Sequence, residues 1–95
     1  MSKAKGQYPI RLYLRNCLSI TEGTASPAQI SKLKIALPVL ARYLNGLLRD
    51  ASPGSRRAPT YSGVALATGI EQDLVRDALY HITCGGNGLT IWRAK

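Results

Sequence analysis

The sequence is poor in acidic residues and in the side chains that most often carry catalysis. Only 5 Asp and Glu accompany 13 Lys and Arg, which gives a net charge of +8. Such an excess attracts polyanions, most often nucleic acid. His81 is the only histidine, and Cys17 and Cys84 are the only cysteines. Their spacing matches neither an activated nucleophile nor a metal-ligand set. We therefore expect a protein that is not an enzyme and that has no metal or cofactor.

Long apolar runs are also missing from the sequence. No stretch approaches the ~20 apolar residues of a membrane span. Arg11 and Arg15 interrupt the N-terminal apolar segment before it reaches secretory length. Two cysteines far apart in such a chain are more typical of reduced cytoplasmic thiols than of a disulfide. We expect a cytoplasmic protein with no membrane partner.

The 95 residues leave room for one domain. Residues 1–7, with Lys3 and Lys5, predict a flexible basic arm that follows a phosphate backbone or enters a minor groove. Residues 8–95 form the single domain. Within it, residues 8–20 fit two patterns: Ile10, Leu12 and Leu14 alternate as in a half-buried strand, but a helical face also fits. We prefer the helix because no breaker interrupts the segment after its first residues.

A long amphipathic helix is predicted in the middle of the chain. Ser26-Pro27-Ala28-Gln29 provides a serine cap, a first-turn proline and a capping-box glutamine. Apolar residues then recur at helical spacing to about Asp50, namely Ile30, Leu33, Leu37, Leu40, Leu44 and Leu47. Pro38 should kink or split this helix near Ile35–Leu37. The apolar set is wide enough to pack on two sides, so the Ile30–Leu48 helix is also a candidate homodimer interface.

The segment Tyr61–Ile82, YSGVALATGIEQDLVRDALYHI, contains two short helical patterns that meet at Gly69. The second pattern places apolar residues at three- and four-residue spacing on one face. Glycine reaches positive φ without steric cost, which suits a sharp turn at this point. Acidic residues directly after the turn suit the N-terminus of the second helix. Two helices joined by a tight glycine turn make a helix-turn-helix.

This segment resembles the helix-turn-helix family of DNA-binding domains. Ala65 occupies the small position four residues before the turn glycine, and Ile70 is the apolar residue after it. Other apolar positions of the pattern are filled by Val64, Val75 and Ala78, whereas Thr68 departs from it. The continuation CGGNGLTIWRAK, with Asn87-Gly88 suited to a type I′ turn, indicates a hairpin and an edge strand. The resemblance therefore implies a mainly α single domain with a small β element, of the winged helix-turn-helix type. The last strand could pair with residues 9–15 if those are extended.

In this family the second helix enters the major groove with its N-terminal residues near base edges. Carried over, Gln72 can pair with adenine and Arg76 with guanine. Phosphate contacts are expected from the loop before the motif and from the wing, at Arg56, Arg57, Thr60, Tyr61, Ser62, Arg93 and Lys95. The expected partner is double-stranded DNA, and the expected function is a dimeric transcriptional regulator or a plasmid or phage accessory factor.

Three carboxylates in the second helix favour an alternative to the DNA-binding function. Glu71, Asp73 and Asp77 against the single Arg76 give this segment a net charge of −2, which repels phosphates. The same fold could instead serve as a protein-interaction module, an inhibitor or adaptor that docks these acids on a basic partner. RNA binding is a third interpretation, with stacking platforms among Tyr8, Tyr13, Tyr61 and Trp92.

Overall fold

A computed structural model of the chain describes residues 6–82 and 88–94. The described chain is mainly helical with one small antiparallel sheet. A 3₁₀ helix at Leu14–Asn16 precedes the short helix α1, and a second 3₁₀ turn at Tyr80–Ile82 follows the last α-helix. The remaining elements, in chain order, are α1 (Leu18–Glu22), α2 (Pro27–Arg49), β1 (Arg56–Arg57), α3 (Tyr61–Thr68), α4 (Gln72–Leu79) and β2 (Ile91–Trp92).

Helix α2 begins where its capping residues predict. The Ser26 hydroxyl accepts a hydrogen bond from the Gln29 backbone N–H at 3.2 Å, and Pro27 is the first helical residue. The helix then continues through Pro38 to Arg49, so the predicted split is wrong. Pro38 removes one intrahelical donor, but both Pro38 and Lys34, one turn earlier, are exposed to solvent. Water can therefore satisfy the carbonyl that lacks a partner, and the buried face of the helix stays continuous.

That buried face forms the centre of the hydrophobic core. It packs against the buried residues of the two helices that follow the loop, and the whole cluster includes Leu33, Leu40, Leu44, Leu48, Val64, Val75, Ala78 and Leu79. The predicted stripe is confirmed for Leu33, Leu37, Leu40 and Leu44, whereas Ile30 and Leu47 are half-buried.

The N-terminal segment is extended before it becomes helical. The first helical element is the 3₁₀ turn at Leu14–Asn16, so the helix preferred for residues 8–20 is wrong for residues 8–13. The cause is a tertiary contact: Asn45 Oδ1 accepts from the Ile10 N–H at 2.6 Å, and Asn45 Nδ2 donates to the Ile10 carbonyl at 2.9 Å. Both backbone polar groups of the buried Ile10 thus find their partners on α2 instead of within a helix.

Strand β2 lies between two neighbouring segments. On one side it pairs antiparallel with β1, with Arg56 opposite Trp92 and Arg57 opposite Ile91. On the other side the Tyr8 N–H donates to the Trp92 carbonyl at 2.8 Å, and the Trp92 N–H donates to the Gly6 carbonyl at 3.0 Å. The predicted partner, residues 9–15, is therefore wrong.

These bonds also move the start of the domain. Gly6 and Gln7, which the sequence places in the flexible arm, belong to the sheet region because Gln7 forms a bridge with Trp92. Residues 1–5 lie outside the described residues. The predicted C-terminal strand is confirmed at Ile91–Trp92, but its predicted edge position is wrong because it has neighbours on both sides. Asn87 of the predicted turn is outside the described part of the chain. Among the described residues, none of the helices has the length and apolar character needed to cross a membrane.

Candidate nucleic-acid interface

Helices α3 and α4 meet at the glycine turn that the sequence predicts. Helix α3 starts at a cap in which Thr60 Oγ1 accepts from the Gly63 N–H at 3.0 Å. It ends at Gly69, whose φ of +73° is left-handed and whose N–H donates to the Ala65 carbonyl at 2.9 Å. A side chain at this position would be strained. The prediction of a turn glycine at residue 69 is confirmed.

Helix α4 has one buried and one exposed face. Val75, Ala78 and Leu79 pack in the core. The exposed side presents polar groups, namely Gln72, Asp73, Arg76 and, in the following 3₁₀ turn, Tyr80 at 47% exposure. Glu71 is also exposed and makes no side-chain capping bond. Tyr80 is not among the residues predicted from the sequence, although it follows Arg76 by four residues and therefore lies on the same helical face.

Asp77 points into the protein. It is 8% exposed and accepts hydrogen bonds from the Ser19 N–H at 2.8 Å, the Ser19 hydroxyl at 2.5 Å and Gln29 Nε2 at 3.0 Å. The prediction that Asp77 belongs to an exposed protein-partner face is wrong. Three donors from α1 and α2 compensate its burial, which costs free energy for an unbonded carboxylate.

The burial of Asp77 changes the charge that α4 presents. Two exposed carboxylates, Glu71 and Asp73, remain against Arg76, so the exposed charge of this segment is −1. Its repulsion of a polyanion is therefore weaker than the sequence implies.

The loop arginines lie on the surface beside the helix-turn-helix. Arg56 and Arg57 are exposed in β1, and three residues separate this strand from α3. Arg57 donates to the Arg56 carbonyl at 2.8 Å. Ser62 is exposed, and Thr60 is exposed but engaged in its cap. Tyr61, at 3% exposure, belongs to the core, so the prediction that it contacts phosphate is wrong.

Arg93 has a structural partner at the end of α2. Its guanidinium donates to the carbonyls of Leu48 at 3.0 Å and Arg49 at 2.6 Å, and it stacks 4.8 Å from the centre of the Tyr8 ring. A cation at the C-terminus of a helix is favoured by the macrodipole and by carbonyls without intrahelical donors. The expectation of Arg93 as a free phosphate ligand of the wing therefore does not hold. Lys3, Lys5 and Lys95 lie outside the described residues.

The four aromatic side chains considered for RNA stacking differ in accessibility. Tyr61 is buried, and Tyr8 and Trp92 are half-buried. Tyr13 is 40% exposed, but the Arg15 guanidinium lies 4.5 Å from its ring centre. They do not form an open row of stacking platforms.

Cys17 is a free thiol with no exposed surface. Burial, together with the smaller effect of the nearby charge of Asp77, raises the pKa of this thiol from 9.0 to about 11. Its Sγ lies 3.8 Å from the Tyr13 carbonyl. The thiol therefore stays protonated at neutral pH and is a poor nucleophile.

A shallow apolar groove lies between α2 and the glycine turn. It has a volume of about 290 Å³, and its lining includes Ile35, Ala36, Val39, Ile70 and Leu74. Lys32 and Glu71 contribute one charge of each sign to the same groove. Helical spacing predicts the apolar residues of α2 but not their contact with the glycine turn.

No known protein family, curated protein sequence or solved structure matches this chain. The chemistry of its exposed residues is therefore the basis for assigning a function.

Proposed function

We propose that this chain binds double-stranded DNA by docking the exposed face of α4 in the major groove. The observation that carries this proposal is the placement of Gln72 and Arg76. They lie one helical turn apart, and both side chains are exposed on the surface of α4. Glutamine can form two hydrogen bonds with adenine and arginine two with guanine, so one exposed stripe offers two base-reading groups. Tyr80 extends this stripe by a further turn.

The inward position of Asp77 supports the same proposal. An exposed carboxylate next to Arg76 would weaken an approach to phosphates, but this carboxylate is held by Ser19 and Gln29. Asp73 and Glu71 stay exposed, and an acid near the helix N-terminus can accept from the amino group of cytosine. We assign Asp73 to base discrimination, not to attraction.

Attraction to the phosphate backbone comes from the sheet. Trp92 lies between Arg56 on one side and Gln7 on the other. With strands spaced about 4.8 Å apart, the chain enters the sheet at Gly6 within roughly 10 Å of the exposed arginine pair. Lys3 and Lys5 precede this point in the sequence. The exposed arginines of β1 and the start of the described chain are therefore close together.

We further propose that the fold is the winged variety of the helix-turn-helix and that the protein is a cytoplasmic regulator or accessory factor. Two features support this: β2 follows α4 in the chain, and it returns to pair with β1, which precedes α3. The two strands of the sheet therefore lie on either side of the motif along the chain.

The test compares duplex DNA binding by the native chain and by two double variants of equal charge. We expect Arg56→Ala/Arg57→Ala to weaken binding to all sequences and to reduce the slope of log K against log salt by about 2. Lys34→Ala/Arg42→Ala removes two exposed charges from α2 instead and should change the slope by much less. If both variants reduce the slope equally, the positive charge attracts DNA only generically. The proposed phosphate contact of Arg56 and Arg57 would then be wrong.

A second variant tests α4 itself. Arg76→Ala should cost about 1–3 kcal/mol on the preferred sequence and little on random DNA. The protein-interaction alternative predicts a different result: Glu71→Lys/Asp73→Lys would abolish binding to a basic protein partner without weakening DNA binding. If Arg76→Ala affects all sequences equally, α4 does not read bases.

A further inference from the structure

The groove between α2 and the glycine turn is apolar at its floor. Ala36 is 2% exposed, and Val39, Ile70 and Leu74 are half-buried around it. These side chains come from two separate parts of the chain, so the groove exists only in the folded protein. Its volume of about 290 Å³ leaves room for apolar side chains from another molecule.

Ile35 stands at the edge of this groove with 72% of its surface exposed. It follows Lys34 and precedes Ala36, so its neighbours on α2 are an exposed cation and a groove residue. A large aliphatic side chain in this position makes few contacts within its own chain. A protruding apolar residue beside an apolar groove is the arrangement that a self-complementary interface requires.

The charges at the groove favour a second copy of this chain as its occupant. Lys32 and Glu71 are both exposed and both line it. In a two-fold symmetric interface, residue i of one copy contacts residue j of the other, and the reverse contact is also made. Lys32 of each copy would then meet Glu71 of the other. A purely basic or purely acidic partner would match only one of the two charges, whereas a second copy of this chain matches both.

We infer that this groove is the interface of a symmetric homodimer, in which Ile35 of each copy packs into the groove of the other. This assigns the dimer to the N-terminal half of α2 and to the turn before α4. The interface does not cover the base-reading stripe, because Arg76 lies about 200° around the helix from the groove residue Leu74. Dimerisation and DNA binding can therefore be measured separately.

The net charge of +8 sets the expected salt dependence. Two such copies repel each other at low ionic strength, and salt screens the repulsion while apolar contacts persist. Self-association should therefore strengthen as salt rises, opposite to the loss of DNA affinity under the same conditions.

Sedimentation equilibrium of the full chain, without DNA, tests the inference. At high micromolar concentration and moderate salt, the native protein should have twice the 10.3 kDa mass of one chain. Ile35→Glu should weaken self-association roughly 30-fold or more, the size expected for a central interface residue. Leu66→Glu is the matched control, because Leu66 is 89% exposed on α3 and does not line the groove. A native monomer, or equal loss with both variants, would overturn the proposal.

A charge exchange identifies the symmetric pairing. Lys32→Glu alone and Glu71→Lys alone each place like charges across the interface and should weaken the dimer. The double variant Lys32→Glu/Glu71→Lys restores opposite charges and should recover most of the affinity, and a mixture of the two single variants should form a heterodimer. If the double variant is as weak as the single ones, Lys32 and Glu71 do not face each other and the proposed geometry is wrong.

Discussion

The carboxylate of Asp77 on α4 accepts hydrogen bonds from both the backbone N–H and the hydroxyl of Ser19 on α1, at 2.8 and 2.5 Å. Gln29 on the first turn of α2 donates to the same carboxylate at 3.0 Å. One side chain thus joins three helices, and it orients α4, which carries the exposed Gln72 and Arg76. A residue that the charge pattern assigns to a partner surface is instead part of the support for that surface.

Asp77→Asn should destabilise the fold because the amide nitrogen would face donors that now bond to an oxygen. We expect a loss of about 1–3 kcal/mol in the free energy of unfolding, since the bonded carboxylate is buried. Asp73→Asn, at an exposed position one turn earlier, should change stability by less than about 0.5 kcal/mol. Chemical denaturation of both variants measures the difference. Equal, small effects would show that Asp77 is not an anchor.

Two glycines should respond to alanine in opposite directions. A Cβ at Gly6 would lie 2.6 Å from the Thr90 carbonyl oxygen and 3.0 Å from the Trp92 ring, so the strand contact must shift. We expect Gly6→Ala to cost about 1–3 kcal/mol. A Cβ at Gly46 meets nothing within 4 Å, and this residue is exposed inside α2. Gly46→Ala should therefore stabilise the protein by about 0.5–1 kcal/mol.

Thermal unfolding of the two variants beside the native chain distinguishes these effects. A neutral Gly6→Ala would mean that residues 6–8 are not held against β2. A destabilising Gly46→Ala would mean that this part of α2 is not exposed helix.

The ionisation of Cys17 should lower the stability of the protein in alkaline solution. Its pKa is raised from 9.0 to about 11 in the folded protein, so the thiolate forms first in the unfolded chain. The protonated Cys17 thiol therefore contributes to the free energy of unfolding. This contribution is fully present below pH 9, and its loss as the pH rises towards 11 lowers the free energy of unfolding by up to about 2 kcal/mol. Cys17→Ala should show a smaller decline over that interval, even if it is less stable at neutral pH. Denaturant unfolding of the native chain and of Cys17→Ala at pH 7, 9 and 10.5 measures how the free energy of unfolding of each protein depends on pH. The same pH dependence in both proteins would contradict the assignment of this effect to Cys17.

The sequence predicts those parts of the fold that local spacing and capping determine. Ser26 and Pro27 indicate the start of α2, and Gly69 indicates the turn, because a cap and a positive φ each demand particular residue types. Segments whose structure depends on distant partners are not predicted. Asn45 holds Ile10 extended although the local pattern also fits a helix.

The residues of the candidate site also divide into those that the sequence predicts and those that it does not. Helical periodicity places Gln72 and Arg76 on one exposed face, and this can be read directly from the chain. The roles of Asp77 and Arg93 cannot be predicted from the sequence. Asp77 depends on donors from other helices, and Arg93 depends on carbonyls at the end of α2. Their charge alone predicts that both side chains lie free on the surface, whereas Asp77 is buried and Arg93 is bonded to the end of α2.

Sequence-specific recognition of duplex DNA is measured by fluorescence anisotropy of the native chain on random fragments and on fragments selected from a random pool. Titrations at about 50 and 200 mM salt separate backbone attraction from base contacts, because only the former falls steeply with salt. If α4 reads bases, selected fragments keep strong binding at the higher salt while random fragments lose it. Weak binding that disappears on every fragment at the higher salt would contradict DNA recognition by this helix-turn-helix and would direct the search to protein partners.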